Sequence, residues 1–166
     1  MRYIAPEHLD SLIQNVPGGT ELLQVLRMTE GDERGWWLAF RVVFVNNTGR
    51  RIYIVPGASF LIDMRYITQH RAITYEEIAA LYYPRSGSAF GVERYRRIVR
   101  AASSVLLRKG FVEPGKGLGG ILLFRFRGKE ERDIALVLTG VDLSPDEEEL
   151  HTADFRFDFS YTLHSR

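Results

Sequence analysis

A chain of 166 residues is one domain long and can bury a sizeable core, and its 45% hydrophobic and 26% charged residues are those of an ordinary globular protein. A formal net charge of +1 excludes a general attraction to nucleic acid or to anionic membranes, and the absence of cysteine excludes disulfides, thiolate metal sites and cysteine nucleophiles. The opening MRYIAPEHLDSLIQNV lacks the apolar run of a secretory leader, no stretch is long and apolar enough to span a bilayer, and the compartment is left open.

Pro6 to Gln14 reads as a short helix, with Pro6 in the first turn and Leu9, Leu12 and Ile13 as an apolar stripe. VPGGT ends it, and TELLQVLRM then alternates well enough to predict a strand. GWWLAFRVVFV is the strongest strand. Trp36, Leu38, Phe40, Val42 and Phe44 share one face, and Trp37, Ala39, Val43 and Val45 the other, which predicts a central strand covered on both sides. NNTG (Asn46 to Gly49) is a turn, RRIYIV returns as a strand, PG turns again, and ASFLID is the fourth strand.

The character changes near Met64. Thr74 and Glu77 have capping-box spacing at the start of ITYEEIAALYY, a helix that Pro84 ends. A longer helix follows in VERYRRIVRAASSVLLRKG, with Tyr95, Val99, Ala102 and Leu106 on one face, Val92 and Ile98 beside them, Arg108 and Lys109 in its last turn and Gly110 as its C-cap. Three strands close the chain: GGILLFRFR, RDIALVLTG and TADFRFDFSYTL. The last alternates cleanly, with Phe155, Phe157 and Phe159 on the face expected to be buried. The pattern predicts a mainly β fold: about seven antiparallel strands in a two-sheet sandwich, a short N-terminal helix, and a two-helix insertion between strands four and five. One domain covers residues 1–166, with 64–110 as the insertion.

Gly115, Gly117 and Gly120 have the G-x-G-x-x-G spacing of a dinucleotide loop, but that loop needs a strand before it and a helix after it. Here a helix precedes and a strand follows, so the glycines are expected to shape the backbone, and no cofactor is expected. RSGSA lacks the nucleophile-elbow pattern, leaving Ser86 and Ser88 as loop polars. His8, His70, His151 and His164 form no helical metal face. Asp142, Ser144 and Asp146 take the first ligand spacings of a calcium loop, but Glu147 and Ala153 stand where that loop needs Gly and Glu. No catalytic residue and no metal are assigned.

Charge is unevenly placed. Arg65 to Lys109 holds nine basic and three acidic residues, a net +6, and Asp142 to Asp158 holds one basic and seven acidic residues, a net −6. Arg94, Arg96, Arg97 and Arg100 cluster on the long helix. With Tyr82 and Tyr83 they are the candidate surface for a protein with an acidic face or for a second copy of the chain. Nucleic acid is not expected, because aromatic residues are not interleaved with the basic ones.

WWLAFRVVFVNNTGRRIYIVPGASFLID, LLRKGFVEPGKGLGGILLFRF, IALVLTGV and FRFDFSY together resemble the immunoglobulin-like, telokin-like domains of bacterial envelope proteins and lipoproteins. Asn46, Asn47, Phe60, Asp63, Pro114, Gly115, Gly120 and Phe124 match that pattern. The resemblance implies an immunoglobulin-like sandwich and an extracytoplasmic place in the cell envelope, and with no catalytic constellation in the chain the expected function is that of a non-enzymatic binding or assembly module. The alternative is a small-ligand binder or enzyme with its site between the helical insertion and the sheet, where Tyr82, Tyr83, Arg85, Arg97 and the glycine loop would converge.

Overall fold

A computed structural model of the chain describes residues 2–28, 36–81, 89–126, 132–146 and 151–161. In chain order the elements are β1 (Arg2–Ile4), α1 (Pro6–Gln14), α2 (Gly19–Met28), β2 (Trp36–Val45), β3 (Ile52–Ile54), β4 (Phe60–Asp63), β5 (Thr68–Ile73), α3 (Tyr75–Leu81), α4 (Ala89–Val105), β6 (Gly110–Val112), β7 (Gly117–Phe126), β8 (Arg132–Asp142) and β9 (Thr152–Tyr161). The fold is mainly β, and the nine strands among the described residues form antiparallel ladders in the order β1-β2-β7-β5-β4-β8-β3-β6, with β9 on β8.

The sheet folds over on itself at β5. The start of β5 pairs with β4, and its end, Ala72 and Ile73, pairs with Phe124 and Leu123 of β7. One half therefore faces the other, and the apolar faces of β2, β7, β4 and β8 share one buried cluster around Leu38, Phe40, Leu61, Phe124 and Leu136. Phe159 of β9 reaches across to Phe40 of β2 at 5.4 Å between ring centroids. This arrangement is consistent with a β-sandwich. On the opposite face of β2 and β7, Trp37, Ala39, Ile121 and Leu123 carry the helices, which pack on them through residues such as Ile13, Leu22, Ile78 and Ala102.

Four expectations are corrected by these contacts. Residues 20–28 are helical, not a strand. Leu22, Leu23, Val25 and Leu26 are all buried; the adjacent pairs break strict alternation and instead make one helical stripe against α1 and α4. The 64–110 segment is not wholly helical, because β5 and β6 lie within it; these two and β1 add three strands to the expected seven, and the loss of the one over residues 20–28 leaves the nine described. α4 ends at Val105 and not near Gly110, which instead opens β6. Val105, Leu106 and Leu107 are all buried, and a helix spaces three successive side chains about 100° apart. The chain therefore leaves the helix, and the Leu107 N–H donates to Ile121 O at 2.9 Å along β7. The buried stripe of α4 is Ile98, Ala101, Ala102 and Val105, while Tyr95 and Val99 are half-buried.

The fourth correction concerns β9. It pairs with β8 alone, Phe157 and Phe159 are only half-buried, and Phe155 is 43% exposed. An edge strand has no neighbour on its outer side to cover its core-facing side chains. β2 follows expectation over residues 37–40, buried on both faces, but Val43 and Val45 stand outside the helical layer and are exposed.

Candidate functional site

Gly115 lies between β6 and β7, and Gly117 and Gly120 lie within β7, so no helix follows the glycines. Its partner is Asn46, 1% exposed at the end of β2. The Asn46 amide donates to Arg50 O and Val112 O, each at 2.7 Å, and its Oδ1 accepts from Thr48 N at 3.0 Å and Thr48 Oγ1 at 2.6 Å. Both amide hydrogens and both oxygen lone pairs are engaged, as burial requires. On the main chain, Gly115 N donates to Asn46 O at 2.7 Å and Asn46 N donates to Lys116 O at 2.9 Å. Gly115 sits at φ +71°, a conformation that favours glycine. The asparagine turn and the Pro-Gly loop thus form one hydrogen-bonded unit that carries the chain into β3 and β7.

The arginines of α4 divide. Arg94 donates to Gln24 Oε1 of α2 at 3.2 Å, and Arg97 pairs with Glu21 of α2 at 3.1 Å. Arg96 and Arg100 are exposed. Tyr82, Tyr83 and Arg85 lie outside the described residues, as do Ser86, Ser88 and His164. In the acidic segment, Asp146 pairs with Arg51, whose Nε lies 2.6 Å from its Oδ2. That hydrogen bond holds the Asp146 carboxyl below its ordinary value and raises the Arg51 guanidinium. Asp142 Oδ1 accepts from Ser144 N at 3.0 Å, an Asx turn. Among the described residues no cluster of three or more His, Asp or Glu side chains is placed to hold a metal ion, and no helix is long and apolar enough to cross a membrane.

A cavity of about 510 Å³ opens between the helices and the sheet. Val25 and Leu26 of α2 form one wall and Ile78 and Ala80 of α3 the other; Trp37 and Ile73 form the floor, and Arg71, Glu77 and Arg125 are charged side chains at its edge. The register explains how the charges meet. Trp37 pairs with Arg125 across β2 and β7, and Ala72 pairs with Phe124 across β5 and β7. Arg71 precedes Ala72, Arg125 follows Phe124, and both line the cleft. Arg71 forms an ion pair with Glu77. Glu77 also accepts from Thr74 N at 2.8 Å, while Thr74 Oγ1 accepts from Glu77 N at 3.2 Å: the expected capping box. The capping glutamate therefore has a second task at the cleft. Trp37 Nε1 donates to Leu26 O at 3.1 Å, which fixes the indole and leaves its ring as an apolar surface.

A site between the insertion and the sheet is the expected alternative, and Tyr82, Tyr83 and Arg85 of that expectation lie outside the described residues. Arg97 faces α2 and does not line the cleft. The glycine loop precedes Gly117, eight residues before Arg125 on the same strand and so roughly 27 Å away at ~3.4 Å per residue. No motif in the sequence singles out Arg71 or Arg125. Arg125 nevertheless carries a signal, as the charged position that interrupts the face shared by Ile121 and Leu123. Comparison with protein-family models, curated proteins and solved structures finds no match.

Proposed function

We propose that this protein is a non-enzymatic binding module on an immunoglobulin-like sandwich, and that it holds a small, largely apolar ligand in the cleft between α2, α3 and the β2–β7–β5 face. The cleft supports the reading: about 510 Å³ falls within the ~300–1,000 Å³ of small-molecule sites, and apolar walls with a few convergent charges are the usual composition of such sites. Antiparallel halves packed on one shared core support the immunoglobulin-like class, together with the sequence resemblance to envelope domains. The test is titration with Nile red, an uncharged apolar dye, followed by fluorescence. The wild type is expected to bind it saturably. Ala80→Trp, at an exposed position of the cleft wall, is expected to remove that binding with little change in melting temperature. Saturable dye binding that Ala80→Trp leaves intact would place the site elsewhere.

A second reading keeps α4 as a docking surface for an acidic protein or a second copy. It is supported by Arg96 and Arg100, which are exposed four residues apart on one helix. The reading requires that Arg96→Glu/Arg100→Glu abolish a salt-sensitive association seen by sedimentation velocity. Association indifferent to the double reversal removes it.

A further inference from the structure

We infer that two copies of this chain join edge to edge through β9, antiparallel about a two-fold axis at Phe157. At the two ends of the ladder order, β1 and β6 are three residues each, a length that blunts an edge, but β9 runs for ten. Among the described residues it pairs with β8 and with no other strand. Its sequence, TADFRFDFSY, contains no Pro, Gly or Lys to turn away an incoming strand. The irregularity in its pairing sets three steps on β8, from Leu138 to Val141, against two on β9, from Phe155 to Ala153. The extra residue is therefore on β8, and β9 stays regular.

A second copy is the occupant because β9 complements itself. Successive residues of a strand turn their backbone groups to alternate sides, so two antiparallel copies pair only when residues of the same parity face each other. That places a residue, not the gap between two residues, on the axis. An axis on Asp154, Arg156 or Asp158 sets like charges opposite each other. An axis on Phe157 sets Arg156 opposite the partner's Asp158 twice over, Asp154 opposite the partner's Ser160 and Phe155 opposite the partner's Phe159. An axis on Phe155 also matches charge, but it pairs residues 152–158 alone, where Phe157 pairs 153–161. The side chains fit the longer register. Arg156 Nε donates to Asp158 Oδ1 of its own strand at 3.0 Å, and the guanidinium also meets Met64 Sδ at 3.9 Å; both charged groups are exposed, so two such pairs across the axis form a ring of alternating charge. On the other face Phe155 is exposed and Phe157 and Phe159 are half-buried, and the partner's strand supplies the cover that an edge lacks. Backbone hydrogen bonds and the phenylalanines hold the dimer, and the exposed charges select its register.

The experiment is sedimentation equilibrium of the full chain over a concentration series, which is expected to show a monomer–dimer equilibrium. Arg156→Asp and Asp158→Arg each set two like-charged pairs across the axis, and each is expected to weaken the dimer about tenfold or more. The double variant Arg156→Asp/Asp158→Arg restores opposite charges and is expected to recover it. Because the chain has no cysteine, single-cysteine variants report the register under oxidation. Arg156→Cys mixed with Asp158→Cys is expected to cross-link in higher yield than either alone, and than Arg156→Cys mixed with Asp154→Cys. A monomer at every concentration, a dimer that the single reversals leave unchanged or the double variant fails to recover, or cross-linking without preference for the 156–158 pair overturns the inference. A dimer lost with Arg96→Glu/Arg100→Glu but kept in the β9 variants overturns it in favour of α4.

Discussion

Phe124→Ala is expected to lower the free energy of unfolding by about 3–5 kcal/mol. Phe124 is fully buried at the middle of the fold, paired with Leu38 on one side and Ala72 on the other. Its ring meets Phe40 edge-on at 6.0 Å between centroids. Truncation removes that contact and leaves a hole between the two facing halves of the sheet, bounded by strands paired on both sides that cannot collapse into it. Phe155→Ala is the matched control. The clean alternation of β9 ranks Phe155 with the core, but at 43% exposed on an edge strand it is expected to cost about 1 kcal/mol or less. Urea denaturation of both variants checks the pair. Similar costs would contradict the placement of the core between β2, β7, β4 and β8.

Gly120→Val is expected to prevent folding or to cost at least ~3 kcal/mol, by overpacking. The cause is close packing and not a positive φ. The positive-φ glycines described are Gly18, Gly115 and Gly140. A Cβ on Gly120 would lie 2.5 Å from Leu107 Cα and 2.6 Å from Leu107 N, in contact with backbone. That backbone cannot step aside: Leu107 N–H is bonded to Ile121 O, and both Leu106 and Leu107 are buried. Gly115→Ala separates the two causes. Its Cβ meets open space, so only the conformational cost at φ +71° remains, about 1–2 kcal/mol. Thermal melts should therefore rank Gly120→Val far below Gly115→Ala. The reverse order would mean that the segment after α4 does not lie against β7.

The main strands were legible because the signal is local. Period-two alternation over ten residues, as in β2 and β9, needs no partner to be recognised, and neither does the capping box of Thr74 and Glu77 or the stripe of Leu9 and Ile13 in α1. The sequence by itself thus determined the mainly β character, the helix starts at Pro6 and at the capping box, and the structural role of the glycine segment. What it could not determine depends on partners far along the chain. β5 (TQHRAI) has no apolar alternation of its own and is a strand because β4 and β7 both hydrogen-bond to it. α2 is a helix because α1 and α4 bury both members of its adjacent leucine pair. Phe155 is exposed because its strand closes an edge, a property of strand order and not of the strand. The cleft belongs to this second class. Trp37, Arg71, Glu77 and Arg125 come from four elements spread over 89 positions of the sequence, and only the pairing of β2, β7 and β5 under α2 and α3 brings them together. Side-chain chemistry is encoded residue by residue, but its convergence is set by long-range register, which no local pattern in the chain records.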